Sequence, residues 1–131
     1  MHDTQRNNWK PVSSMDKTRR SHSCAVITTS SSSGNVVLVC GGFYRSDCEI
    51  YDPATNSWTN VPSLPSELLG SAMVTASPNS NYDAFILGGY YDVSWSNKIY
   101  GMKVLTAVTL VGTLGKARGC HIAFIGINGL C

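Results

Sequence analysis

A pattern of short apolar segments and glycine pairs, repeated along the chain, constrains the fold more than any other feature. Residues 36–40 form a near-continuous apolar run that ends in Gly41-Gly42, and residues 84–87 form a second run that ends in Gly88-Gly89. Internal repetition with a period of about 50 residues indicates repeat architectures such as propellers. The repeat therefore limits the fold before any single residue is interpreted.

Aromatic residues mark the same period. Trp9 and Trp58 are 49 residues apart, as are Tyr51 and Tyr100, and we expect all four to pack between repeats. Within one period, polar or proline-containing turns separate four predicted strands. These strands span residues 23–29, 36–40, 47–51 and 57–61. Units of four short strands predict an all-β fold made of propeller blades.

Composition and charge argue against several classes of protein. The net charge is only +2 and no basic run extends beyond Arg19-Arg20, so we expect no nucleic-acid partner. No apolar stretch approaches the ~20 residues that a membrane-spanning helix needs, so no membrane association is expected. The polar start at residues 1–5 has no apolar signal core, and the cysteine count of five is odd. We therefore expect free thiols and a cytoplasmic location.

The repeated residues resemble kelch repeats. The first copy combines Gly41-Gly42 with Tyr51-Asp52 and Trp58, and the segment leading into it carries Met15, Arg19 and His22. Matching residues recur as Gly88-Gly89 and Tyr100 in a second copy, and as Leu114, Arg118 and His121 in a third. The resemblance covers roughly residues 9 to 125 and implies kelch-type blades, each a four-stranded antiparallel sheet. The second copy departs from the pattern, with Leu68 in place of the arginine and Val108 in place of the tryptophan.

The number of blades predicts an incomplete ring. We expect a polar tail over residues 1–8 and a partial propeller over residues 9–131. The propeller divides into an outer strand of a preceding blade at 9–13, one blade at 20–62, another at 69–111 and the start of a third at 118–131. Propellers close with about four to eight blades. We therefore expect a piece of a longer product, with association of copies into a ring as the alternative.

Candidate catalytic and metal-binding residues are few. The close histidine–cysteine pairs, His22 with Cys24 and Cys120 with His121, lack the paired spacing that zinc sites show. No nucleophile elbow or phosphate-binding loop is present. We expect no catalytic residue, no metal ligand and no cofactor. The alternative is a fragment of a propeller enzyme resembling galactose oxidase or a sugar epimerase, whose ligands would lie on further blades.

A candidate binding surface lies in loops that follow the glycine pairs or lead into the next inner strand. Because strands alternate in direction within a blade, these loops should lie at one end of the blades. The turns at residues 30–34 and 52–56 should lie at the opposite end. Tyrosine, tryptophan and arginine are enriched at binding hot spots. The predicted binding residues are Arg19, Tyr44, Arg45, Tyr90, Tyr91, Trp95 and Arg118. This mixture predicts an acidic or phosphorylated peptide ligand.

The resemblance implies a non-catalytic protein-interaction module. Kelch propellers commonly recruit substrates for cullin-type ubiquitin ligases as part of BTB–kelch adaptors, or act as actin-associated scaffolds. No BTB segment is present in this sequence, so a cullin or actin would be reached through domains outside it. A truncated remnant without function is the remaining alternative.

Overall fold

Two four-stranded antiparallel sheets make up most of this chain. The structure, a computed structural model, describes residues 2–29, 34–119, 125–126 and 129–130, with side chains for 4–29 and 34–119. These ranges contain strands, turns and bends but no helix, and so no helical segment that could cross a membrane. The all-β prediction is confirmed.

A short hairpin begins the described chain. Strand β1 (His2–Asp3) pairs antiparallel with β2 (Asn8–Trp9), where the sequence predicted a polar tail. Residues 10–15, which include most of the expected outer strand at 9–13, have no regular secondary structure. Trp9 was expected to pack between repeats, yet its relative exposure is 79%.

The first sheet follows the predicted order of strands along the chain. It consists of β3 (Ser23–Thr28), β4 (Asn35–Cys40), β5 (Cys48–Asp52) and β6 (Ser57–Val61), each hydrogen-bonded to the next. Strand β4 lies between β3 and β5, and its residues Leu38, Val39 and Cys40 are buried on both faces of the sheet. A central strand covered on both faces needs a continuous apolar run, which is why this segment stands out in the sequence.

The second sheet repeats this arrangement. Its strands, in order, are β7 (Ala72–Thr75), β8 (Ala84–Leu87), β11 (Lys98–Lys103) and β12 (Ala107–Thr113). A separate hairpin of β9 (Tyr90–Tyr91) and β10 (Ser94–Trp95) is inserted between β8 and β11. Farther along, β13 (Ile125–Gly126) pairs with β14 (Gly129–Leu130). Most of the third blade expected at 118–131, including Cys120 and His121, lies outside the described residues.

The core lies between the two sheets. Leu38 and Cys40 of the first sheet are fully buried in one apolar cluster with Ile86 and Met102 of the second. Burying a side chain the size of leucine or isoleucine stabilises a fold by about 1.5–3 kcal/mol relative to leaving it exposed. Each sheet therefore depends on its neighbour for stability, as expected of adjacent blades.

The opposite face of the first sheet is covered by the segment that precedes it. The indole nitrogen of Trp58 donates to the carbonyl of Ser13 at 2.8 Å, and the backbone nitrogen of Asp16 donates to Glu49 Oε2 at 3.0 Å. Tyr51 packs on this side against Trp58, with ring centroids 5.2 Å apart. The segment before the blade thus packs on this face of the first sheet.

The register of the second sheet corrects one equivalence between the repeats. Gly41 donates its backbone N–H to the carbonyl of Asp47, whereas Gly88 donates to that of Lys98. The third strands are therefore offset by 51 residues rather than by the 49 that the tyrosines indicated. Tyr100 pairs with Ile86 just as Glu49 pairs with Val39, so Tyr100 occupies the position of Glu49. The tyrosine match was wrong because the inserted β9–β10 hairpin lengthens the loop after the second glycine pair.

The position of Tyr51 is taken in the second blade by a different residue. Tyr51 pairs with Trp58 in the first sheet, and Met102 pairs with Val108 in the second. The sequence predicted that Val108 takes the position of Trp58, and this register agrees with that prediction. An aromatic pair in one blade is thus replaced by an aliphatic pair in the other.

Two of the cysteines are joined. Cys40 and Cys48 lie directly opposite each other on β4 and β5, with Cα atoms 4.2 Å apart, and form a disulfide. The expectation of free thiols is wrong for this pair, whereas Cys24 is free and exposed. The pairing could not be seen in the sequence. The two cysteines, eight residues apart, lie opposite each other only because of the register in which β4 pairs with β5.

Candidate functional site

Two loops and a connecting segment form a groove at one end of the blades, which we call the loop groove. Its walls are the loop after Gly42 and the loop after Gly89, and residues 65–69 lie between them. The volume is about 750 Å³, within the range of small-ligand and peptide clefts. The residues that line it are Gly42, Phe43, Tyr44, Ser46, Pro65, Ser66, Glu67, Leu68, Leu69, Tyr90, Tyr91 and Asp92.

Backbone hydrogen bonds hold both walls to the connecting segment. Gly42 donates to the carbonyl of Leu68 at 2.9 Å. Leu69 and Tyr90 exchange two bonds, of 3.1 Å and 2.8 Å. Because these donors and acceptors belong to different repeats, the groove forms only when neighbouring blades pack side by side.

The first wall presents Tyr44 to solvent. Arg45 donates its backbone N–H to the carbonyl of Gly42 at 3.1 Å, which closes a tight turn. Tyr44 sits in that turn with φ of 57° and a relative exposure of 74%. Bulky residues rarely adopt this left-handed conformation, and such outliers cluster at functional sites.

The β9–β10 hairpin, which forms the second wall, carries three aromatic rings, of which Tyr90 and Tyr91 line the groove and Trp95 does not. Tyr90 and Trp95 pack edge to face with centroids 5.1 Å apart, and Tyr91 is 46% exposed. Trp95 is 49% exposed but also lies against the backbone of Gly119, where a Cβ atom would overlap its ring. Trp95 therefore packs against the chain leading out of the second blade as well as facing solvent.

Arg19 is not available to a ligand, contrary to the sequence-based expectation. Its side chain is 0% exposed and its Nη2 atom lies 2.6 Å from both Asp47 Oδ2 and Glu49 Oε1. Its Nη1 atom donates to the carbonyls of Gly41, at 3.0 Å, and Asp47, at 2.7 Å. The guanidinium therefore ties the segment before the blade to both ends of the loop that carries Tyr44.

Arg45 is also engaged within the chain. Its Nε atom lies 2.9 Å from Asp47 Oδ1, and its side chain is 26% exposed. Burial raises the pKa of Asp47, but the hydrogen bonds and charges of Arg45 and Arg19 outweigh burial and hold that pKa below its usual value. The paired carboxylate therefore favours the folded state until the pH falls through this lowered pKa.

Arg118 lies at the same end as the groove without lining it. Its carbonyl accepts from Gly89 at 2.7 Å and its backbone N–H donates to Ser96 at 3.0 Å. Its side chain is exposed and forms no ion pair with a described residue. Of the predicted binding residues, the groove lining contains Tyr44, Tyr90 and Tyr91.

The sequence reasoning missed several groove residues. Phe43 lies on the first wall with the Arg20 guanidinium 3.9 Å from its ring centroid. Glu67 and Asp92 add carboxylates, and neither forms an ion pair within the described part of the chain. Phe43 could have been found, since it follows the glycine pair directly, whereas Glu67 had no repeat position to mark it.

His22 lies beside the loop and provides a pH-dependent prediction. Burial lowers the pKa of His22, and the positive charge of Arg19 lowers it further. The folded state therefore disfavours protonation, so stability should decline as pH falls below ~6.5, the usual histidine value, and level off beneath the lowered pKa. Urea unfolding of the parent chain between about pH 8 and pH 5 should show this decline, with a weaker one in His22→Gln. Equal declines in the two proteins would contradict the assignment.

Metal-binding geometry is not found in the described side chains. Across residues 4–29 and 34–119, no three histidine, cysteine, aspartate or glutamate side chains are close enough together to hold an ion. The predicted absence of metal and cofactor stays a prediction for the chain as a whole.

Parts of this chain are similar to known proteins. Residues 28–65 match the family model described as Kelch motif. The chain is also similar to Kelch-like protein 25 of Xenopus tropicalis, with 33% identity over 79 residues. That alignment covers 56% of this chain and 12% of the relative, so the chain spans a small part of the protein it resembles.

Proposed function

We propose that this chain, in which residues 28–65 match the Kelch motif and the two sheets are consistent with kelch-type blades, is a non-catalytic protein-interaction module whose ligand is a protein or peptide. The observation that carries the proposal is the loop groove, where Tyr44 and Tyr91 are exposed on facing walls. Tyrosine buries a large area at low entropic cost when a partner covers it, which makes it a frequent hot-spot residue.

The proposal includes roles that involve the rest of a longer protein. We propose that the module serves as the substrate-recognition part of a cullin-type ubiquitin ligase adaptor, or as an actin-associated scaffold, in the cytoplasm. The kelch resemblance supports these roles, which depend on domains outside the 131 residues. The cytoplasmic location was predicted partly from free thiols, and the Cys40–Cys48 disulfide means that this argument no longer supports it.

The expected acidity of the ligand loses most of its support. That expectation depended on three arginines at one end of the blades. Arg19 is buried, Arg45 is paired with Asp47, and Arg118 does not line the groove. The protein-interaction proposal does not need them, because exposed aromatic side chains on both walls remain.

Substitutions in the groove test the proposal. Proteins retained from a cell extract by the immobilised chain should be identified, and their affinities measured for the parent, Tyr44→Ala, Tyr91→Ala and Leu105→Ala. Leu105 is the matched control, since it is 56% exposed and lies in a cleft at the opposite end. We expect each tyrosine substitution to weaken binding by about 1–3 kcal/mol, as hot-spot truncations do, with no change in thermal unfolding.

The opposite pattern would refute the assignment of the groove. Partners that are lost with Leu105→Ala but retained by both tyrosine variants would place the interaction at the other end of the blades.

A further inference from the structure

We propose that the loop groove receives a basic segment of a partner protein, with a lysine or arginine side chain between apolar neighbours. This inference rests on the proposed function, since it assigns a chemistry to the ligand of the same groove. It also reverses the charge that the sequence predicted for that ligand.

The aromatic rings of the groove suit a cation. Phe43 and Tyr44 are on one wall, and Tyr90 and Tyr91 are on the other. The face of an aromatic ring attracts a guanidinium or ammonium group through its quadrupole. The chain already contains one such contact, with Arg20 over the ring of Phe43 at 3.9 Å.

The charge of the lining points the same way. Glu67 and Asp92 are exposed in the groove, and its lining includes no lysine or arginine. Neither carboxylate is neutralised by an ion pair among the described residues. A cationic side chain entering between the walls would therefore meet two carboxylates and no lysine or arginine among the lining residues.

The nearby arginines do not reverse this balance. Arg45 is held by Asp47 at 2.9 Å, and the Arg19 side chain is fully buried against Glu49. Arg20 is exposed at this end, and it lies over the ring of Phe43 as a single positive charge against two carboxylates. A phosphorylated or acidic peptide would find no free cation among the lining residues and would be repelled by both carboxylates. Complementary charge across an interface favours the right partner and disfavours the wrong one.

Three peptides that differ at one position test the inference. Each is a capped pentapeptide with glycine at both ends and phenylalanine on each side of a central arginine, citrulline or phosphoserine. Citrulline preserves the shape of arginine without its charge. Binding to the full chain is followed by the NMR signals of the tyrosine rings, with Tyr44, Tyr90 and Tyr91 assigned by substitution.

The arginine peptide should bind about five- to tenfold more tightly than the citrulline peptide, as expected for a cation near exposed rings and carboxylates. The phosphoserine peptide should bind most weakly. Combining Glu67→Gln with Asp92→Asn should reduce the preference for arginine to the part that the aromatic rings supply, without changing citrulline binding. Asn tolerates the φ of 55° at Asp92, so the turn is kept. Asp52→Asn, at the opposite end, is the charge control and should leave the preference unchanged.

The outcomes separate this inference from the proposed function. Equal binding of the arginine and citrulline peptides, both weakened by Tyr91→Ala, would overturn the charge assignment and leave the groove as the binding site. Tightest binding of phosphoserine would also overturn it. Binding of all three that is unaffected by Tyr44→Ala and Tyr91→Ala would reject the groove itself. Failure of all three to shift the tyrosine signals would reject the basic ligand.

Discussion

Replacing either Arg19 or Glu49 alone is expected to destabilise the first blade by about 3–5 kcal/mol. Loss of Arg19 leaves the buried Glu49 without its ion-pair partner, and loss of Glu49 leaves the buried Arg19 with Asp47 alone. The Arg19 and Glu49 side chains are both 0% exposed, and their charged atoms are 2.6 Å apart. Loss of Arg19 also removes the guanidinium donor from the carbonyls of Gly41 and Asp47, of which Asp47 still accepts from the Gly41 backbone. Arg19→Leu and Glu49→Gln should each lower the urea midpoint strongly without a change in the slope of the transition.

The second blade indicates how the pair can be replaced. In that blade Leu68 and Tyr100 occupy the positions of Arg19 and Glu49, and both are buried in the core at 2% and 4% exposure. Apolar substitution of a whole buried ion pair is often neutral or stabilising. The double variant Arg19→Leu with Glu49→Tyr should therefore recover much of the stability lost by Arg19→Leu alone, which a double-mutant cycle would quantify.

An ion pair with one exposed partner serves as the control. Lys103 lies 3.0 Å from Asp83, and the two side chains are 50% and 14% exposed. Lys103→Met should cost no more than about 1 kcal/mol, as exposed pairs usually do. Similar losses for Arg19→Leu and Lys103→Met would show that the buried pair has no special importance.

Gly41→Val should destabilise the fold by about 2–4 kcal/mol, because it combines backbone strain with steric overlap. Gly41 has φ of 67°, which a β-branched residue adopts only with strain. A Cβ atom there would also overlap the carbonyl oxygen of Leu68, which accepts the hydrogen bond from Gly42. The substitution therefore affects the contact between repeats as well as the turn.

Gly115→Val is the control for this prediction. A Cβ atom at Gly115 would meet nothing within 4 Å. The same substitution there should change the thermal midpoint little, whereas Gly41→Val should lower it by many degrees. Equal midpoints for the two variants would contradict the role assigned to the glycine pair.

The sequence by itself determined the blades. An apolar run, a glycine pair and a polar turn are local patterns, and local patterns specify strands and the turns between them. Strand alternation then predicted that the loops after Gly42 and Gly89 share one end, where Tyr44, Tyr90 and Tyr91 line one groove. Kelch-type blades were therefore predictable, and the structure and comparisons agree.

Only the tertiary structure decided how individual polar and sulfur-containing side chains are used. The sequence placed Arg19 at the surface, but the side chain is buried against Asp47 and Glu49. These partners are 28 and 30 residues away and meet Arg19 only when the sheet forms, so no local pattern revealed them. The Cys40–Cys48 bond and the true counterpart of Tyr100 likewise depend on which residues pair across strands. Register is set by the length of each loop and by packing against the neighbouring blade, and a short insertion moves every later pair. Which side chains lie buried, paired or exposed therefore follows from contacts that no local pattern contains.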